Sequence, residues 1–206
     1  RKVTVGEVAI VEDICVKTLN KKYLSKKLAA GSLAEKQKIP FEKEYTDLKS
    51  GTISEQLEIA VLQGDTASLN ANLNRFDGYI KLIDAAATAV NGNPTGITTG
   101  TGITAGNVKG IVSGIWTLLP ARIQGKSDVR IFVGWDTFAL FVSAYTDANL
   151  FNFAPTGSEV KAEIGEVVVP GTYYKLTAVH GLDGTNRAFA MRTSNMFAGT
   201  DMENEE

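Results

Sequence analysis

Glycine is concentrated where a phosphate could sit. Residues 96–106 read GITTGTGITAG, and an apolar segment of helical period follows them. Gly100, Gly102 and Ala105 spell a loose G-x-G-x-x-A, the pattern by which a strand-to-helix turn brings backbone amides up to a pyrophosphate. The wider pattern is incomplete. A dinucleotide site needs a strand directly before the loop, and TGIT is too short and too glycine-flanked to supply one. A P-loop needs a lysine beside its last glycine to neutralise phosphate; residues 91–106 hold none, and Lys109 is wrongly spaced. The same glycines also suit a loop that simply has to bend. A small-ligand or nucleotide-binding α/β domain using residues 96–106 therefore stands as the alternative reading.

Other reactive side chains are isolated. His180 is the only histidine, and Cys15 the only cysteine. Nucleophilic catalysis by serine or cysteine needs a histidine base held by a carboxylate. No G-x-S-x-G elbow occurs. Cys15 lies on an apolar helical face, where packing explains it, and His180 reads as a strand-end residue before Gly181. Glu12/Asp13, Glu42/Glu44 and Glu203/Glu205/Glu206 are close pairs or triplets of carboxylates in strongly charged stretches, where solvation accounts for them. Zinc-type ligand spacing is missing. DTASLNANLNRF, 65–76, lacks the central glycine and closing glutamate of a calcium loop. No catalytic, cofactor-binding or metal-binding residue is assigned, no cofactor is called for, and the chain is expected not to be an enzyme.

The 206 residues are 44% hydrophobic and 21% charged, with a net charge of −2, so the chain can bury one core, or one core with a smaller lobe, and no global basic field exists for nucleic acid. One cysteine allows no internal disulfide. No apolar run reaches the length of a membrane span, and RKVTVGEV lacks a signal-peptide core. The start at Arg1 and the end in TDMENEE are read as the limits of a trimmed or processed chain.

Periodicity supplies the elements. Residues 7–28 read as an amphipathic helix with Ile10, Val11, Ile14, Cys15, Thr18 and Leu19 on one face, closed at Gly31. Its lysines, Lys17, Lys21, Lys22, Lys26 and Lys27, suit a solvated face, or else a surface turned to a polyanion. KIPFEKEYTDLKSG, 38–51, looks extended or like a hairpin limb. A helix then starts at Thr52, with Glu55 completing a capping box and Ile53, Leu57, Ala60 and Val61 as its buried stripe, and stops at Gly64-Asp65. Residues 65–78 are turn-rich. YIKLIDAAATAV begins with a strand. NVKGIVSGIWTLLPARIQG is a helix with Val108, Ile111, Val112, Ile115, Trp116 and Leu119 inward; Gly110 and Gly114 allow another element close, and Pro120 ends it. DVRIFVGW is a buried strand. DTFALFVSAYTDANLF is a helix capped by Asp136 or Thr137. EVVVPG, TYYKLTAVHG and NRAFAMRTSN are strands, with Asp183-Gly184 as a tight-hairpin signal. Phe151 and Phe153 in NLFNFAP either anchor a partner surface, as in an adhesion or recognition module, or fold back over their own core. Helix, strand and helix in short order imply layered α/β architecture.

This order resembles the major capsid proteins of tailed double-stranded-DNA bacteriophages, whose fold is shared with encapsulins and the herpesvirus capsid floor. LEIAVLQGD, 57–65, is similar to the end of that family's long spine helix with its glycine-aspartate turn, and Pro94, Thr95, Gly96 and Ile97 match its P-x-G-I element. NVKGIVSGIWTLLPARI, DVRIFVGW, DTFALFVSAY and GEVVVPGTYYKLTAVHGLDGTNRAFAMRTSNMFAGTDME look like the helix, buried strand, second helix and returning sheet that follow, over about residues 50–206. The resemblance implies an α+β fold: a peripheral, spine-helix part over 1–90 with a truncated extended loop, and an axial-type α/β lobe over 91–206. That lobe would be built on a mainly antiparallel sheet whose last strands return toward the peripheral part.

For function, the resemblance implies a structural protein that self-assembles into the icosahedral head enclosing the DNA genome. Its partners would be copies of itself in hexamers and pentamers, together with portal and scaffold proteins and packaged DNA held without sequence specificity, and no membrane. Its place would be the virion capsid, assembled in the bacterial host cytoplasm. Two departures, the short extended segment at 38–51 and the lack of a further basic strand after GTDME, are those of a trimmed chain. Under this resemblance the glycine loop lets the chain turn from the spine part into the second lobe.

Overall fold

The computed structural model describes residues 41–93, 101–148, 164–197 and 199, with residues 41–48 described as backbone alone. The expected helix at 7–28, the P-x-G-I element and the NLFNFAP aromatics lie outside these residues. The fold is α+β. In chain order it comprises helices α1 (Phe41–Gln63), α2 (Tyr79–Ala85) and α3 (Val108–Thr117), strand β1 (Val129–Val133), helix α4 (Trp135–Asp147), strands β2 (Glu166–Val168) and β3 (Lys175–Ala178), a 3-10 turn (His180–Leu182), and strand β4 (Ala188–Arg192) followed by a second 3-10 turn (Thr193–Asn195).

The four strands form one mixed sheet in the order β2-β3-β1-β4. β2 and β4 run antiparallel to their neighbours, while the central pair, β1 and β3, is parallel with Ile131 opposite Leu176. The sheet expected to be mainly antiparallel is thus mixed, antiparallel in its two outer pairings and parallel in the central one.

Alternation along β1 assigns its two faces. Val129, Ile131 and Val133 are buried on one side with Leu176, against Val108, Val112, Ile115 and Leu119 of the α3 region and Phe141 and Ala144 of α4. These helix positions recur at steps of three and four, so each helix lays one stripe on the sheet. The stripe expected for residues 108–119 is the one observed, and α3 ends before Pro120, which cannot donate to a continuing helix. On the opposite side Phe132 packs with Leu62 and Leu182, flanked by Tyr79, Ile80, Phe189 and Met191. Phe132 and Phe189 are directly opposed across β1 and β4, with ring centroids 5.2 Å apart. β1 is therefore covered on both faces, which is why it reads as a near-continuous apolar run.

Four expectations are corrected. Residues 41–51 are not extended: α1 starts one residue after Pro40 and runs through Thr52, which is helix interior rather than a cap. FEKEYTDLK is rich in good helix formers and has no alternation, and the single Gly51 costs only about 1 kcal/mol relative to alanine. YIKLIDA is a short helix rather than a strand. α4 is capped by Gly134, with Asp136 in the first turn. Asp183-Gly184 does not close a hairpin, because β3 and β4 lie on either side of β1 and are not neighbours; the strands that do form one are β2 and β3, through Pro170-Gly171, where Gly171 has φ +80°.

Residues 64–78 make a closed loop. Gly78 donates to the Gly64 carbonyl at 2.8 Å, and a Cβ on Gly78 would lie 2.7 Å from the Leu62 carbonyl oxygen. Both positions need glycine because two backbones meet there.

Candidate functional site

The C-terminal ends of parallel strands are where open α/β sheets usually place a site. In this protein β1 and β3 end side by side, the Val179 amide donating to the Val133 carbonyl at 2.9 Å. Two short segments leave that edge. One is Gly134-Trp135-Asp136, opening α4; the other is His180–Leu182 and the turn after it.

The two segments exchange carboxylates. Asp183 accepts from the Trp135 amide at 2.6 Å, and Asp136 accepts from the Gly184 amide at 3.1 Å. Each aspartate thereby satisfies an amide of the other segment. The first α4 amides would otherwise be orphan donors, and a negative group is favourable there. Gly134 is fixed between them: a Cβ there would lie 2.7 Å from the Leu182 carbonyl oxygen.

His180 completes the cluster. Its ring stacks on Trp135, centroids 5.5 Å apart, and its Nδ1 lies 2.9 Å from Asp183 Oδ2. The Asp183 carboxylate holds the imidazole above its usual protonation range, with smaller contributions from Glu58 and Glu55 of α1. A histidine with an orienting aspartate is half of a nucleophilic triad. Here the imidazole lies on an indole, and among the described residues no serine or cysteine bonds to it.

What meets this corner is the end of α1. Gln63 Nε2 donates to the Gly181 carbonyl at 2.8 Å, and the Gly181 amide donates to Glu58 Oε1 at 3.3 Å. A Cβ on Gly181 would lie 2.8 Å from the Glu58 carbonyl oxygen and 2.5 Å from Leu62 Cδ1. Gly181 is thus the seat on which the helix rests. The arrangement is a joint between α1 and the sheet, built by Glu58, Leu62, Gln63, Gly134, Asp136, Gly181 and Asp183. Sequence reasoning singled out His180 and the Asp183-Gly184 pair here, but not the seat itself. Its one signal is the glycine spacing of HGLDG, which reads equally well as a hairpin.

The glycine-rich loop is described from Thr101. Its amides are engaged by side chains: Ile103 donates to Asn186 Oδ1 at 3.3 Å and Thr104 to Asn107 Oδ1 at 2.7 Å. These two donors point at asparagines of the same chain. Gly110, expected to admit a close neighbour, faces open space.

Two charged clusters lie elsewhere. Against the 64–78 loop, Lys81 Nζ of α2 is 2.6 Å from Asp65 Oδ1, 2.7 Å from Asp77 Oδ1 and 3.1 Å from Thr66 Oγ1. An ammonium sits at the centre of a stretch that carries no calcium motif. Its hydrogen bond, with those from Thr66, lowers Asp77 to about 2. On the sheet face that also carries Phe132, Glu166 of β2 pairs with Arg130 of β1 and, at 2.9 Å, with Lys175 of β3. This salt bridge ties three strands together. Among the described residues no group of three or more histidine, cysteine, aspartate or glutamate side chains is placed to hold a metal ion. Likewise no described helix is long and apolar enough to cross a membrane. Of the carboxylate groups singled out in the sequence, Glu42 and Glu44 fall in the part of α1 described as backbone alone, and the others, with Cys15, lie outside the described residues.

Compared with known protein families, curated proteins and solved structures, the chain shows no match.

Proposed function

We propose that this chain is a shell-building subunit of the tailed-phage major capsid type, a structural protein that self-assembles into the icosahedral head around the DNA genome. One observation carries the reading. α1 has 23 residues, about 35 Å of helix, and among its described side chains the buried ones lie in its last two turns. Ala60 and Leu62 are buried, whereas every residue from Gly51 to Leu57 is exposed, Ile53 and Leu57 included. A helix exposed on all sides over two turns gains no stability from tertiary packing there, and isolated helical segments of this size are marginal in water. A long helix fixed at one end to a small α/β lobe suits a tile whose edges are completed by neighbours. Many modest contacts of that kind sum to a stable shell.

In such a particle the chain's partners are copies of itself in hexamers and pentamers, with portal and scaffold proteins and DNA packed without sequence recognition. The joint at Gly181 sets the direction of the spine helix and so the curvature available to the shell. Electron microscopy and sedimentation of the purified chain test the proposal. Closed shells or discrete capsomers are expected; a compact monomer at all concentrations up to several milligrams per millilitre would end it.

A further inference from the structure

β1 and β3 are parallel, so the lobe has two unlike poles. α1 is anchored at the pole where these strands end, on the turn His180–Leu182. At the other pole, about 15 Å away along a five-residue strand, lie the segments that precede β1 and β3. The first is the turn 118–127. The second is the hairpin 169–174. They touch each other: the Tyr173 hydroxyl lies 3.7 Å from where a Cβ on Gly125 would be.

This far pole combines apolar and basic surface. Leu118 is 45% exposed and Tyr173 62% exposed. Arg122 and Lys126 are exposed beside them, and among the described residues neither forms an ion pair. The bare turns of α1 show the complementary chemistry. Ile53 is 38% and Leu57 47% exposed, and Glu55 between them is exposed as well. Within one chain the two surfaces do not cover each other, since Ile53, Leu57, Leu118 and Tyr173 are all exposed.

We propose that the bare turns of α1 dock on the far pole of a second copy, Ile53 and Leu57 against Leu118 and Tyr173, with Glu55 facing Arg122 and Lys126. The contact is heterologous and head-to-tail, which repeats into a ring when its rotation closes. It rests on the shell-subunit reading and names the edge that such a subunit would use. The charged part steers and orients the encounter, so association weakens as salt rises, while the apolar part carries the affinity.

Charge reversal tests it by sedimentation velocity on the full chain, with circular dichroism melts as the folding control. E55K alone, and R122E with K126E, are each expected to raise the midpoint concentration for association at least tenfold; combining all three is expected to recover most of the loss. L57S should weaken association without changing the melting temperature. If the wild-type chain assembles and these variants assemble equally well, the contact is wrong and the shell-subunit reading survives. If the wild-type chain stays monomeric throughout, both fall.

Discussion

At the scale of single residues the glycines divide by what surrounds them. Gly181 and Gly134 sit against backbone carbonyls, whereas Gly110 faces open space on a helix. Adding one methyl at Gly181 therefore pushes α1 off its seat, and Gly181→Ala is expected to cost about 2–3 kcal/mol, the usual size of an overpacking penalty. Gly110→Ala should act in the opposite direction, stabilising by roughly 0.5–1 kcal/mol through helix propensity. Urea unfolding of the two variants side by side distinguishes them. All three are glycine in the sequence; the difference lies in the distance to other backbones, which no local pattern records.

Titration separates two further residues. The Lys81 ammonium and Thr66 hold Asp77 down at about 2, against an ordinary value near 4. A depressed carboxylate stabilises the fold above its unfolded value, and that contribution is lost as pH falls through its folded one. The protection of amides in the 64–78 loop against hydrogen exchange should therefore fall between about pH 4 and pH 2, and Lys81→Met should weaken this pH dependence, leaving the part held by Thr66. His180 has the reverse sign. Its protonation is favoured by Asp183, so what it adds is present below the ordinary histidine value and is lost as pH rises past the raised one. An NMR titration of the imidazole should show an upward shift that Asp183→Asn abolishes.

At the scale of elements, α3, β1 and α4 were readable because each meets the core along one stripe. Val108, Val112, Ile115 and Leu119 follow the helical period, and VRIFV is apolar because both of its faces are covered. The start of α1 at Phe41 does not show in its sequence. No single stripe runs its whole length: Ile53, Leu57 and Ala60 fall on one side, while Ile59 and Leu62 fall on another. The inward face of a helix shows in its sequence only where a partner presses on it, and within residues 51–63 of this helix only the last turns are pressed. Leu62→Ala is therefore expected to destabilise by about 2–4 kcal/mol, while Leu57→Ala changes the stability of the isolated chain by less than about 0.5 kcal/mol. Thermal melts of the two variants make the comparison.

At the scale of the whole molecule, protection should grade from the sheet outward. β1 lies at the centre, bonded on both sides and covered on both faces, and its amides should exchange slowest. Amides of residues 51–57 should exchange faster than those of the seated turn 58–63 in the isolated chain. They should slow on assembly if neighbouring copies cover them. Hydrogen exchange measured at low and at high protein concentration reads this directly. The same experiment reports on the joint, since loosening Gly181 should expose the last turns of α1 before it exposes β1.

What the sequence determined alone was the set of locally cooperative pieces: the apolar period of α3, the helix at α4, the buried run of β1, and the lack of a phosphate-binding lysine. These are written in neighbouring residues because short-range spacing alone decides them. The tertiary structure decided which pieces are adjacent. It set β3 and β4 on opposite sides of β1, turning a seeming hairpin at Asp183-Gly184 into a crossover. It brought Gly181 under Leu62, more than a hundred residues away, and it left residues 51–57 of α1 bare. Contacts at such separation depend on the packing of the whole chain, so only the assembled fold fixes them.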